Sequence, residues 1–240
     1  MAELLRTEGL SKHFRGLVAN DDIDFAIESG TIRCIIGPNG AGKTTFLSMI
    51  SGHLAPSAGR IIYKGADITR RSVIQRASIG IGRKFQTPMV FNNLTTAENV
   101  ELSILRLHRS RQDTAARVDQ VLQAVRLTEQ RDTLAKHLSH GQRQWLEIGL
   151  LLGNESELLL LDEPTAGMTA EETAATGQLV RQLAQDRNLS VIIIEHDIGF
   201  IRDLKSPVTV LHLGRVLKEG SFEEIADDPK VRDVYLGADL

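Results

Sequence analysis

Gly37-Pro38-Asn39-Gly40-Ala41-Gly42-Lys43-Thr44-Thr45 decides the fold of this chain. A glycine, four free positions and then Gly-Lys-Thr make the P-loop pattern, and the context is the one the pattern requires. The apolar run Ile32–Ile36 precedes it and a helical pattern, Lys43–Ser51, follows. Glycines at 37, 40 and 42 permit backbone angles that a side chain forbids, so successive N–H groups can converge on a phosphate. The helix contributes its unpaired N-terminal donors and the positive end of its dipole. Lys43 is placed to reach β- and γ-phosphates, the Thr44 hydroxyl to supply one ligand to a Mg²⁺ ion, and Thr45 to add a phosphate contact. A plain glycine turn needs neither the lysine nor the threonine at this spacing.

The partners of such a loop lie further along the chain. Leu158-Leu159-Leu160-Leu161 reads as a buried parallel strand, and ligands bind beyond the carboxyl ends of these strands. Asp162 therefore emerges beside the metal and Glu163 is placed to polarise an attacking water, where a helix-initiating turn is the plainer alternative. A second apolar strand, residues 191–194, ends at Glu195-His196-Asp197. His196 is either a sensor that donates to a γ-phosphate or part of a helix-capping turn. Upstream, residues 4–14 and 23–27 read as an opening antiparallel β-layer, and Phe14 either stacks on an adenine ring or fills a strand-end core position. Gln86 follows the strand pattern at 79–85, and its amide suits a γ-phosphate sensor or an ordinary surface site.

Composition fits a globular protein: 42% apolar and 25% charged residues over 240 positions. With 28 basic against 31 acidic residues, no electrostatic footprint for nucleic acid is present. Cys34, the single cysteine, sits in the strand before the P-loop and reads as a small buried hydrophobe, in keeping with a reducing cytoplasm. No apolar run is long enough to span a bilayer, so any membrane role runs through a partner. Between residues 87 and 156 the pattern turns helical, with Val118, Val121, Leu122 and Val125 at helical spacing. The expected organisation is thus an α/β core with its β-layer, residues 1–86 and 157–240, and an inserted helical subdomain, 87–156. Within that insertion Leu138-Ser139-His140-Gly141-Gln142 precedes a helical stretch at 143–152, offering either a second anion site or a plain N-cap.

The ordered set resembles the nucleotide-binding subunit of ABC transporters over nearly the whole chain. In that resemblance Gly37 to Thr44 is the P-loop, Gln86 the Q-loop, Leu138 to Gln142 the signature, Leu158 to Asp162 the Walker B strand, Glu163 the base and His196 the switch histidine. It implies a P-loop NTPase of RecA-like fold that hydrolyses ATP with Mg²⁺, the metal held by Thr44, Gln86 and Asp162. It also implies catalytic roles for Lys43, Gln86, Glu163 and His196, stacking by Phe14, and nucleotide contacts from Pro38, Asn39, Ala41 and the rest of the loop. Ser139, Gly141 and Gln142 would complete the site of a second ATP-binding subunit in a head-to-tail dimer. Two permease subunits and, indirectly, a substrate-binding protein are the implied partners, at the cytoplasmic face of the inner membrane. Residues 80–88, LSHGQRQWLEI at 138–148, Ala166-Gly167-Met168-Thr169 and Val234-Tyr235-Leu236-Gly237 are similar to the hydrophobic amino acid uptake branch, most of all to its urea-importing members. Urea or a short-chain amide is the implied cargo, with branched-chain amino acids or a lipid or polysaccharide as the alternatives. His140 and Thr169 depart from the usual glycine and the usual Asp or Asn.

Overall fold

The computed structural model describes residues 2–85, 89–105, 107 and 110–236. Its first half carries β1 (Glu3–Phe14), β2 (Leu17–Glu28), β3 (Ile32–Ile36), α1 (Lys43–Ser51), β4 (Ala58–Tyr63), β5 (Ala66–Asp67), α2 (Val73–Ser78) and β6 (Ile81–Lys84). Three helices follow: α3 (Thr96–Leu105), α4 (Arg111–Ala124) and α5 (His140–Gly153). The rest alternates: β7 (Leu158–Asp162), α6 (Ala170–Arg187), β8 (Ser190–Ile194) and α7 (Ile198–Leu204). The hairpin β9 (Val208–His212) and β10 (Arg215–Gly220) and the short helices α8 (Phe222–Ala226) and α9 (Pro229–Val231) follow, and a helical turn at Arg232–Leu236 ends the described residues.

Two sheets result. The larger has the order β10-β9-β3-β8-β7-β6 and is parallel except for the β9–β10 hairpin. Its central strands β7 and β8 are nearly continuous apolar runs, buried throughout because both faces are covered. Cys34, Ile36, Leu159, Leu161, Val191 and Ile193 pack toward the helices, whereas Ile35, Leu158, Leu160, Ile192 and Ile194 pack with α1 and the second sheet. That second sheet, β2-β1-β4-β5, is antiparallel.

The parallel register positions the chemistry. Ile35 pairs with Ile194 and Asp162 with Ile194, so the loops after β3, β7 and β8 leave the same edge side by side. The helical pattern read between residues 96 and 125 is present, and Val118, Val121, Leu122 and Val125 are buried in one continuous core with Leu146 and Ile148 of α5. Gly149 of α5 lets α4 approach, since a Cβ there would lie 3.3 Å from Val125. Two expectations change. β2 begins at Leu17 rather than 23, because register shifts along its pairing with β1 break the simple alternation. α5 begins at His140 rather than 143, which makes Ser139 its N-cap and draws Gly141 and Gln142 into the first turn. Among the described residues no helix is long and apolar enough to cross a membrane.

Candidate functional site

The loop after β3 is held by its glycines. Gly37 has φ 144°, and a Cβ there would run into the Leu211 carbonyl of β9. Gly42 has φ 97°, with the Ala19 carbonyl and the Asn20 amide in the space a side chain would need. Buried Asn20 uses that proximity, donating through Nδ2 to the Gly42 carbonyl at 3.2 Å. The β9–β10 turn pins the loop from the other side, Gly214 N–H donating to the Ala41 carbonyl at 3.2 Å. Lys43 lies back over the loop, its Nζ donating to the carbonyls of Gly37 at 2.6 Å and Pro38 at 3.0 Å. Burial lowers the lysine pKa, and the carboxylates of Glu163 and Asp162 oppose that shift.

Above the loop opens a cleft of about 410 Å³. Residues 39–45 form its floor, Phe14 and Leu17 one wall, and Glu163 and His196 the other. Phe14 is 43% exposed, with the Lys12 ammonium 5.2 Å from its ring centre, so it is a free ring at the mouth and not a core residue. The structure thus brings Phe14, the loop, Glu163 and His196 to one place.

Asp162 stands behind them at 2% side-chain exposure, its Oδ2 3.3 Å from Arg83 of β6, itself 6% exposed. Burial raises the Asp162 pKa, Arg83 and the nearby Thr44 hydroxyl pull it down, and Glu163 pushes it up. Its Oδ1 is buried with no hydrogen-bond partner. An orphaned carboxylate oxygen beside a P-loop threonine is the donor set a Mg²⁺ ion accepts, so Thr44 and Asp162 fit that group. Among the described residues no cluster of three or more His, Cys, Asp or Glu is present that could enclose a metal by itself. Glu163 adopts φ 49°, a left-handed backbone uncommon for a glutamate, with its N–H tied to the Ile194 carbonyl at 2.9 Å. That twist aims its carboxylate at His196, whose Nε2 is 3.2 Å from Glu163 Oε1. A second carboxylate, buried Glu195, braces the turn by accepting from Thr165 N–H at 2.8 Å, Thr165 Oγ1 at 2.5 Å and His196 N–H at 3.0 Å.

Ser139, Gly141 and Gln142 do not line the cleft. Ser139 N-caps α5 in a capping box with Gln142, whose Oε1 accepts from Ser139 N–H at 3.0 Å. The Ser139 hydroxyl and the Gly141 N–H both donate to Glu172 Oε1, at 3.1 and 3.3 Å. His140 Nε2–H donates to the Ala166 carbonyl at 2.9 Å. Gln86 lies outside the described residues. The sequence assigns no role to Arg83 or Glu195, and Glu172 reads there only as an acid at the positive N-terminal end of a helix. The signal for Arg83 was a charge within an otherwise buried parallel strand, and the signal for Glu172 was the Thr169-x-x-Glu172 capping box.

An ABC transporter family model matches residues 20–166, more than half of the chain, and a branched-chain amino acid ATP-binding cassette transporter model matches residues 215–240. The lipopolysaccharide export system ATP-binding protein LptB of Acidithiobacillus ferridurans is 36% identical, over 99% of this chain and 98% of that protein. The probable branched-chain amino acid transport ATP-binding protein LivG of Archaeoglobus fulgidus is 31% identical, over 98% and 96%. The crystal structure of an ADP-bound ATP-binding cassette of an ABC transporter superposes with TM-score 0.89 at 28% identity, covering 99% of this chain and all of that one. A phosphate-binding loop, a buried aspartate and a strained glutamate at adjoining strand ends, on a fold shared end to end with such cassettes, make this chain a member of the ABC transporter family, an ATP-binding and ATP-hydrolysing subunit.

Proposed function

We propose that this subunit powers import of branched-chain amino acids. The match of the chain's last 26 residues, 215–240, to the branched-chain amino acid cassette model carries the reading. The whole-length likeness to LivG supports it, and the likeness to LptB keeps export of a lipid as the comparison to beat. Urea stands second, resting on the resemblance of residues 80–88, 138–148, 166–169 and 234–237.

In this reading ATP lies with its adenine on Phe14 and its phosphates on residues 37–45, where Lys43 leaves the Gly37 and Pro38 carbonyls and turns to the β- and γ-phosphates. Thr44 and Asp162, with Gln86, would hold a Mg²⁺ ion, which would neutralise phosphate charge. Glu163 takes the proton from a water aligned on the γ-phosphorus. His196, 3.2 Å from Glu163, orients that carboxylate and meets the γ-phosphate. Ser139 and Gly141, with Gln142 holding their turn, serve the nucleotide of a second ATP-binding subunit, so the site is complete only in a head-to-tail dimer. Residues 87–156 form the subdomain that passes closure to two permease subunits, with a substrate-binding protein delivering cargo from outside. Such an assembly places the subunit at the cytoplasmic face of the membrane.

Uptake of labelled leucine and labelled urea in the source cells, wild type against chromosomal Glu163→Gln, tests the cargo. Loss of leucine uptake with urea uptake intact is the result expected. Loss of urea uptake alone moves the cargo to urea, and no change in either overturns the import reading.

A further inference from the structure

The donors at the start of α5 are already in use within the single chain. Ser139 Oγ accepts the Gln142 N–H at 3.2 Å, which turns its own proton outward, and that proton goes to Glu172 Oε1 at 3.1 Å. Gly141 N–H reaches the same oxygen at 3.3 Å, an approach that glycine permits, since a Cβ there would lie 2.9 Å from it. The other oxygen of Glu172 accepts from Thr169 N–H at 3.2 Å, and Glu172 N–H donates back to Thr169 Oγ1 at 3.2 Å. One carboxylate therefore sits where a helix N-terminus and a serine hydroxyl would receive an anion, tethered to the loop after Glu163.

We propose that Glu172 is a positioning residue that stands in for the γ-phosphate in the separate subunit, and that dimer closure exchanges this carboxylate for the partner-bound nucleotide's phosphate at Ser139 and Gly141. The proposal rests on the head-to-tail reading above. Two anions cannot share these donors without repulsion, so Glu172 must withdraw as the phosphate arrives. Its tether to Thr169 gives the withdrawal a consequence: vacating the signature shifts the loop that begins at Glu163. The same donors, led by the Thr169 N–H, hold the Glu172 pKa below its ordinary value, so the group competes as a full charge. His140, bonded to Ala166, ties the same two segments together from the other side.

Competition lowers apparent affinity by the fraction of subunits whose donors are free. An exposed charged contact at its upper limit is worth about fivefold per face, and so about 25-fold for a dimer that engages two faces. The experiment measures ATP-dependent dimerisation by sedimentation in a Glu163→Gln background, where ATP is retained. Glu172→Gln keeps the capping-box geometry without the charge. It should tighten the dimer by up to about 25-fold, at a small loss of thermal midpoint from the missing charge at the helix N-terminus, and the gain should vanish when Ser139→Ala is added. Glu172→Ala should tighten it as well, at some loss of thermal midpoint from the lost cap. If Ser139→Ala weakens the dimer but neither change at 172 tightens it, the exchange is refuted while the dimer reading stands. If Ser139→Ala leaves the dimer unaltered, or no dimer forms with ATP, the dimer reading fails and the exchange with it.

Discussion

Lys84→Met should unsettle the joint between the parallel sheet and the helical segment. Lys84 ends β6 with a side chain 1% exposed, and its Nζ lies 3.4 Å from Oε2 of Glu147 on α5, which is 5% exposed. This is an ionic contact longer than a hydrogen bond, and Oε2 has no hydrogen-bond partner of its own. The other oxygen accepts the Met89 N–H at 2.7 Å, so one carboxylate fastens α5 to the chain just beyond β6. Arg143, one turn earlier, gives a guanidinium nitrogen to the Ala135 carbonyl at 3.2 Å, and its charge also lowers the Glu147 pKa, more weakly than that of Lys84. Removing Lys84 leaves a buried charge with one amide donor, a loss of about 3 to 5 kcal/mol. In a chain of this size that corresponds to a fall in thermal midpoint of about 6 to 20 °C at pH 7.5. The effect has a sign in pH. Burial raises the Glu147 pKa, while Lys84 and the Met89 N–H restrain it, so Lys84→Met raises it further. A carboxyl with a raised folded pKa contributes stability below its unfolded value, and that contribution is lost as pH rises through the folded pKa. The gap between variant and wild type should therefore narrow as pH falls from 7.5 toward 5. Adding Glu147→Leu should recover most of the midpoint, because an apolar pair of similar volume replaces the ion pair. A midpoint within about 2 °C of wild type, a gap that ignores pH, or a double variant no better than the single one refutes this reasoning.

Three further outcomes follow from the same geometry. Lys43→Ala should raise the ATP dissociation constant at least about tenfold, as a charge-assisted contact to phosphate is removed; calorimetric titration showing unchanged affinity contradicts its role. Phe14→Ala should weaken ATP by about 0.5 to 1.5 kcal/mol while leaving inorganic triphosphate binding as it was, and an equal loss for both ligands contradicts stacking. Cys34, whose pKa burial pushes up to about 11 despite the Ser206 hydroxyl 3.3 Å away, should resist iodoacetamide at pH 7.5 until the protein is unfolded; labelling of the native protein within minutes contradicts its burial.

Contiguous features were legible in the sequence. The P-loop needs only its own nine residues and two flanking elements. The acids at 162 and 163 follow from an apolar run long enough to be a buried strand, and those inferences carried the fold with them. Features made by residues far apart in the chain were not legible. Glu172 reaches Ser139 across 33 positions, and only the turn of the chain after Glu163 brings them together. Arg83 and Lys84 sit side by side on one short strand yet serve different acids, Asp162 and Glu147, because alternate strand residues face opposite ways. Helix starts slipped for a related reason. The Ser139-x-x-Gln142 box that begins α5 at His140 reads equally as an anion loop until the backbone shows which donors its side chains use. The last residues named a branch of transporter more sharply than the signature did, and similarity rather than chemistry carried that information.

Glu163 is the proposed base for turnover of bound ATP. The direct measurement is phosphate release by purified wild-type protein and Glu163→Gln, with ATP affinity titrated on both. Turnover should fall by about 10²- to 10⁴-fold, about 3 to 5 kcal/mol of barrier, with affinity for ATP unchanged. Phosphate release by Glu163→Gln at the wild-type rate would contradict the account at its centre.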